Sequence, residues 1–116
     1  MRKPEIRNSE LKDKLAELRH QIDKIDDLVI QKMAERMNIV EQIGTFKRDN
    51  NITILQVNRW DEILRKGVNY GKALKLSAEF TEKLLELIHS ESIRKQTEIM
   101  NADIAGAAED KVTTHA

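Results

Sequence analysis

Two positively charged residues, Arg36 and Lys47, are spaced so that they could bind one small anion from its two ends. They are 11 residues apart, just over three turns of an α-helix, so they share one face with about 16 Å of rise between them. Arg36 also stands in the register of an apolar seam, defined below, that runs along the same helix. An unpaired charge buried in such a seam costs several kcal/mol. Arg36 therefore needs either an anion or a route to solvent along its aliphatic stem. Both interpretations are open at this point.

The element that must position these cations is a first helix, predicted from about Glu10 to about Arg48. Apolar residues recur along it with gaps of four and three, the pattern of a helix that buries one stripe against another helix. The members of this apolar seam are Leu11, Leu15, Leu18, Ile22, Ile25 and Val29. About 40 residues make a helix about 60 Å long, whereas a compact chain of this length has a radius of gyration of about 13–14 Å. We therefore predict a two-fold dimer that covers the helix.

The first helix should end at RDNN (48–51), because asparagine tolerates the left-handed conformation that closes helices. A second helix is predicted to start near residue 53, where Thr53 and Gln56 match the reciprocal capping pattern. It should end near Gly71, which is free to adopt a positive φ. Gly44 costs the first helix roughly 1 kcal/mol against alanine, so we expect it to permit close packing of a neighbouring helix or a ligand.

A third helix is predicted to begin after Ser77 and to end near Asn101. The fold class is therefore all-α: a three-helix chain with a very long first helix. We expect the helical domain to occupy residues 9–101, with a flexible N-terminus over residues 1–8. The small, polar and aperiodic tail, residues 102–116, is predicted to be disordered.

The third helix places polar residues on its apolar ridge. Leu84 and Ile88 are followed at the same four-residue spacing by Ser92 and Gln96. Both polar side chains can form hydrogen bonds, and neither is a natural core residue. The ridge drifts about 40° per step, so an alternative is that both reach solvent.

The second helix offers Gln56, Arg59 and Trp60 within one turn. Each has an ordinary alternative role: Gln56 as part of the capping box, Arg59 as a surface charge and Trp60 as a core residue. Arg19 lies 17 residues before Arg36, about 25 Å along the same helix. No ordinary metabolite spans that distance, so Arg19 could serve the same site only from an antiparallel partner chain.

Composition excludes several function classes. The chain carries 20 basic and 20 acidic residues, which gives no reason to expect a nucleic-acid or membrane surface driven by bulk charge. It contains no cysteine and no apolar run of about 18 residues, so we expect a cytoplasmic protein. The three histidines, His20, His89 and His115, lack the spacing of metal ligands. We expect neither a metal nor a cofactor.

The sequence LRHQIDKIDDLVIQKMAERMNIVEQIGTFK, followed by NRW, YGKA and SIRKQ, resembles the all-helical class of chorismate mutases. The resemblance covers residues from about 11 to 101. It implies an intertwined antiparallel homodimer in which each long first helix contributes to both sites. Residue by residue, it implies a substrate site built from Arg19 of the neighbouring subunit together with Arg36, Lys47, Gln56, Arg59, Trp60, Ser92 and Gln96.

The chain departs from the commonest family pattern at two of these positions. An acidic residue is frequent where Gln56 stands, and a glutamate that helps to hold the substrate's hydroxyl is frequent where Trp60 stands. The indole nitrogen of tryptophan only donates hydrogen bonds. The hydroxyl must therefore be recognised differently here, by Gln56 or by backbone groups.

The implied reaction is the intramolecular Claisen rearrangement of chorismate to prephenate, which requires no nucleophile, metal or proton transfer. The resemblance assigns catalytic roles to Lys47, Gln96 and Arg36, with arginines on the two carboxylates and Lys47 and Gln96 donating to the ether oxygen. One alternative keeps the fold but eliminates pyruvate from isochorismate. The other is a non-catalytic or regulatory helical dimerisation domain. Fusion to, or association with, another enzyme of aromatic biosynthesis is also expected from the resemblance.

Overall fold

The computed structural model describes the backbone of residues 5–114 and the side chains of residues 8–102. Three α-helices follow one another: α1 spans Glu5–Asp49, α2 spans Val57–Ala73 and α3 spans Ala78–Thr114. The described residues contain no strand, so the all-α prediction is confirmed. The chain divides after Arg36 into two units, each of which is described by itself below.

The first unit is the part of α1 that ends at Arg36. Its apolar seam is exposed, with exposed fractions that run from 43% for Leu18 to 59% for Ile25. Burial of such side chains stabilises a fold by about 1.5–3 kcal/mol each. The seam side chains are only partly buried by the unit's own residues, so most of this stabilisation is not realised within the unit. A partner helix that covers the seam remains the prediction.

The second unit begins at Met37 and packs the last turns of α1, together with α2 and α3, around a thin core. Val40 is 5% exposed. A Cβ at Gly44 would stand 3.1 Å from Ile99 Cδ1 and 3.4 Å from the Cα of Gln96. The prediction that Gly44 permits close packing is thus confirmed, with α3 as the neighbouring helix.

Two helix ends follow the sequence closely. α1 ends at Asp49, and Asn51 adopts the left-handed conformation with a φ of 55°, as predicted. α3 starts after Ser77, whose Oγ accepts a hydrogen bond from the backbone N–H of Phe80 at 3.0 Å. This bond satisfies one of the donors that a helix N-terminus leaves unpaired.

The predicted bounds of α2 are wrong. The helix begins at Val57, and Gln56 stands at the N-cap in an extended conformation without a side-chain capping bond. The proposed capping box with Thr53 therefore does not form. The helix continues past Gly71 to Ala73, and the left-handed residue is instead Lys75, with a φ of 66°. Gly71 lies inside the helix, where Thr81 of α3 packs directly against it.

The outer ends of α1 and α3 extend beyond the predicted helices, to Glu5 and Thr114. The extension of α3 is rich in alanine, which has the highest helix propensity. Flexibility of residues 1–8 and disorder of residues 102–116 remain predictions, and their parts at residues 1–4 and 115–116 lie outside the described residues. No described helix has the length and apolarity needed to cross a membrane.

Candidate functional site

The central contact of the candidate site joins α1 to α3 through Lys47 and Gln96. The Lys47 Nζ donates to Gln96 Oε1 at 3.0 Å and to the backbone carbonyl oxygen of Ile54 at 2.8 Å. An ammonium group has three protons to donate. Two are therefore committed to holding the lysine in place, and the third can be donated to a ligand.

Partial burial makes Lys47 electrostatically distinct from a surface lysine. Desolvation lowers the pKa of its ammonium group from the ordinary lysine value, because removal of water disfavours the charged form. The neighbours that hold Lys47 are neutral oxygen acceptors and bring no compensating negative charge. An anionic ligand placed beside the ammonium would supply that charge.

Ser92 and Gln96 are buried on α3, with exposed fractions of 5% and 6%. The alternative that both reach solvent is therefore wrong. The Ser92 Oγ donates to the carbonyl oxygen of Ile88 at 2.8 Å, a bond to the preceding turn that serine often forms inside helices. Because the carbonyl of Gln96 faces Lys47, its amide NH₂ remains as the donor end of the side chain.

Gln56 at the N-cap of α2 and Arg59 in its first turn line an open surface cavity of about 470 Å³. Arg59 donates to Glu62 Oε1 at 2.8 Å, and Lys66 contacts the same oxygen at 3.4 Å. The hydrogen bond and charge of Lys66, followed by the charge of Arg59, lower the pKa of Glu62. Arg59 is thus an exposed cation held by an ion pair one turn along its own helix.

The Trp60 side chain reaches from α2 to α3, where its ring stacks on the ring of His89. The ring centroids are 4.3 Å apart and the ring planes differ by 19°, and both side chains are half-buried. This placement accounts for Trp60 as a packing residue between the two helices. This contact was not predicted, because the sequence pattern points to His89 only through its spacing from possible metal ligands.

Arg19 and Arg36 belong to the first unit. Arg19 is exposed and Arg36 is half-buried. The structure therefore brings together Lys47 with Gln96, and Gln56 with Arg59, whereas convergence of the two first-unit arginines on these residues stays a prediction. Among the described residues, no group of three or more histidine and acidic side chains could hold a metal ion.

Two groups that hold candidate site residues in place were not predicted from the sequence. The carbonyl oxygen of Ile54 is a backbone group, so no residue type signals its contact with Lys47. Glu62 stands three residues after Arg59, a helix spacing at which opposite charges pair, and that signal could have identified it.

Comparison with known proteins decides the family. A sequence model of the family described as chorismate mutase type II matches residues 18–97, more than half of the chain and the whole region that contains the candidate residues. The chain belongs to the chorismate mutase type II family. The resemblance noted from the sequence is thereby confirmed.

Curated relatives agree with this assignment. The chain is 33% identical over 82 residues to a bifunctional chorismate mutase/prephenate dehydratase of Buchnera aphidicola subsp. Acyrthosiphon pisum, an alignment that covers 71% of this chain and 21% of the relative. It is 26% identical over 86 residues to the protein of the same name in Escherichia coli K12, covering 74% of this chain and 22% of the relative. The chain thus spans about a fifth of the length of these relatives.

Proposed function

We propose that the protein is a chorismate mutase, which catalyses the intramolecular rearrangement of chorismate to prephenate. Membership of the chorismate mutase type II family and the curated relatives support this activity, and they favour neither isochorismate pyruvate lyase nor a non-catalytic dimerisation module. The observation that carries the proposal is the half-buried ammonium of Lys47, held by Gln96 and the Ile54 carbonyl with one proton left to donate.

Substrate binding relies on the cations. Chorismate carries two carboxylates, and arginine binds carboxylates through paired, charge-assisted hydrogen bonds. We assign these carboxylates to Arg36 and to Arg19 of the neighbouring subunit. Arg59, Gln56 and Ser92 complete the orientation of the ring, and Trp60 lines the site beside them. Fixing the enolpyruvyl side chain over the ring restricts the substrate to the reactive pseudo-diaxial shape.

Acceleration of the chemical step relies on Lys47 and Gln96. As the C–O bond breaks and the C–C bond forms, negative charge grows on the ether oxygen. Lys47, through its third N–H, and the amide NH₂ of Gln96 donate hydrogen bonds to that oxygen from positions fixed before the reaction starts. A preorganised donor of this kind contributes about 3–4 kcal/mol to transition-state stabilisation.

The active species is an intertwined antiparallel homodimer. Its support is the exposed seam of the first unit, whose leucines and isoleucines lack cover from their own chain, and the 25 Å that separate Arg19 from Arg36 along an ideal helix. A two-fold axis would place the seam of one chain on that of its partner. It would also deliver Arg19 to the partner's site.

The names of the relatives pair chorismate mutase with prephenate dehydratase in one protein. We infer that this chain is likewise fused to, or associated with, an enzyme of aromatic biosynthesis that consumes prephenate. The cytoplasmic location and the lack of a cofactor are part of the same proposal.

The experiment that tests the activity is incubation of the purified chain with chorismate. The proposal expects loss of the enol-ether ultraviolet absorbance and formation of prephenate, which retains every atom of the substrate. Incubation with isochorismate should release no pyruvate. Unchanged absorbance with chorismate at micromolar protein would contradict the mutase, and pyruvate from isochorismate would support the lyase instead.

A further inference from the structure

An ion pair joins α1 to α3 close to the hydrogen bond between Lys47 and Gln96. Lys95, which is half-buried, places its Nζ 3.1 Å from Glu41 Oε1 on α1. The same Nζ lies 3.6 Å from Glu98 Oε1 on its own helix. The hydrogen bond to Glu41, followed by the charge of Glu98, raises the pKa of Lys95. Lys95 therefore stays charged and ties α3 to a carboxylate of α1.

The ion pair and the hydrogen bond lie on either side of a close approach of the two helices at Gly44. Glu41, Gly44 and Lys47 are spaced three residues apart, so they share one broad face of α1, with about 4.5 Å of rise from each to the next. A Cβ at Gly44 would stand 3.4 Å from the Cα of Gln96. Lys95 and Gln96 are consecutive, about 100° apart around α3. Because both reach α1, rotation of α3 in either direction lengthens one of the two contacts.

A small rotation of α3 is enough to break the hydrogen bond between Lys47 and Gln96. Side-chain atoms lie about 5–6 Å from a helix axis, so a rotation of about 10° moves them by about 1 Å. The distance from Lys47 Nζ to Gln96 Oε1 is 3.0 Å, and N–H···O bonds are seldom longer than about 3.2 Å. Displacement of a reacting group by about 1 Å can cost about 100-fold in rate. Partly exposed ion pairs add little to overall stability, so the effect of this pair is expected in the site.

We propose that Glu41 and Lys95 are positioning residues, whose ion pair fixes the rotation of α3 about its axis and thereby holds Gln96 against Lys47. This inference rests on the proposed function, in which Lys47 and Gln96 donate hydrogen bonds to the ether oxygen of the substrate. The ion pair acts through these two residues and does not itself contact the substrate. Loss of the pair should therefore lower kcat more than it changes KM, because the substrate carboxylates are bound by arginines.

The test reverses the two charges, first singly and then together. Glu41→Lys and Lys95→Glu each place like charges opposite one another, and each should lower kcat for chorismate about tenfold while KM changes less than about twofold. The double variant restores an ion pair and should recover kcat to within about threefold of the unaltered protein. The matched control exchanges Glu79 and Lys83, an exposed pair within α3, and should leave kcat unchanged. No recovery in the double variant, or an equal loss in the control, would overturn the proposal.

A second measurement separates positioning from a general structural role. The Gln96→Ala variant lacks the side chain that the pair positions, so adding Lys95→Glu to it should lower kcat less than about twofold further. The same loss in both backgrounds would contradict positioning through Gln96.

Neutral variants replace the charge reversals if urea unfolding shows that those do not fold. Glu41→Gln and Lys95→Gln each break the same ion pair, so each should lower kcat by a similar factor, and the double variant by no more than either alone. Additive losses would contradict a shared role. Absence of chorismate turnover by the unaltered protein would contradict the proposed function itself, which separates the two failures.

Discussion

At the scale of single residues, Lys47 combines three properties that seldom coincide in a surface lysine. It is partly buried, it is oriented by two neutral acceptors, and it retains a proton to donate. Together these properties support the proposed role of Lys47 as a preorganised donor to a developing negative charge. If it has that role, its contribution to catalysis is separable from its contribution to binding.

Lys47→Ala should lower kcat by about 10²–10³-fold and raise KM much less, because the lost donor acts mainly when charge has developed on the ether oxygen. Steady-state kinetics with chorismate measure both constants. Lys83→Ala is the matched control, since it removes an exposed lysine that pairs with Glu79 on the same helix. Normal turnover with a pure binding defect in Lys47→Ala would contradict the assigned role.

The lowered pKa of Lys47 predicts the pH dependence of the reaction. As pH rises through that lowered pKa, the ammonium becomes neutral, and kcat/KM should fall at a lower pH than an ordinary lysine would cause. Lys47→Arg keeps its charge throughout this range and should remove the alkaline fall from whatever activity remains. An identical profile in both proteins would exclude Lys47 as the titrating group.

The same lowered pKa has the opposite effect on folding stability, which it raises as pH rises, whereas it lowers activity. A lysine whose folded pKa lies below its unfolded pKa binds fewer protons in the folded state between those two values. Its contribution to stability therefore rises with pH across that window. Thermal unfolding of the unaltered protein and of Lys47→Arg over the same pH range measures this contribution. The unaltered protein should lose no more stability with rising pH than the variant does.

At the scale of helices, glycines set how closely α2 and α3 approach. A Cβ at Gly71 would lie 2.7 Å from Thr81 Oγ1 and 3.0 Å from its Cγ2. Thr81 is buried, β-branched and bonded to the Ser77 carbonyl, so it cannot rotate away cheaply. A Cβ at Gly67 would meet Leu85 Cδ1, at 2.5 Å, which is the far end of a flexible side chain.

Gly71→Ala should therefore destabilise the fold by about 1–3 kcal/mol, because α2 and α3 must separate. Gly67→Ala is the matched control and should cost less, since Leu85 can change rotamer while alanine improves helix propensity by about 1 kcal/mol. Urea unfolding of the two variants measures the difference. The reverse order would show that Thr81 yields more easily than Leu85.

The helices also show what the sequence alone can predict. The end of α1 at the asparagines and the start of α3 at Ser77 were predictable because the residues that form those ends are local. The start of α2 was not, since Thr53 and Gln56 match a capping pattern that the chain does not use. The role of Gly71 and the Trp60–His89 stack depend on contacts between helices, which no local pattern contains. Burial of Ser92 and Gln96 was open for the same reason.

At the scale of the whole molecule, the exposed seam of the first unit predicts that stability depends on association. Ile22→Glu places a charge in the centre of the proposed interface and should weaken the dimer at least tenfold, with loss of activity in step. Gln21→Glu introduces the same residue one position away, outside the seam, and should leave the dimer intact. Sedimentation equilibrium measures both. A dimer unaffected by Ile22→Glu would place the interface elsewhere.

The most direct test of the account mixes two inactive homodimers. Arg19→Ala and Lys47→Ala should each be severely impaired, but after subunit exchange a heterodimer contains one intact site, with Lys47 from one chain and Arg19 from the other. We predict that mixing restores chorismate mutase activity, with each heterodimer approaching half the activity of the unaltered dimer. No recovery, with heterodimers shown to form, would contradict a site shared between subunits.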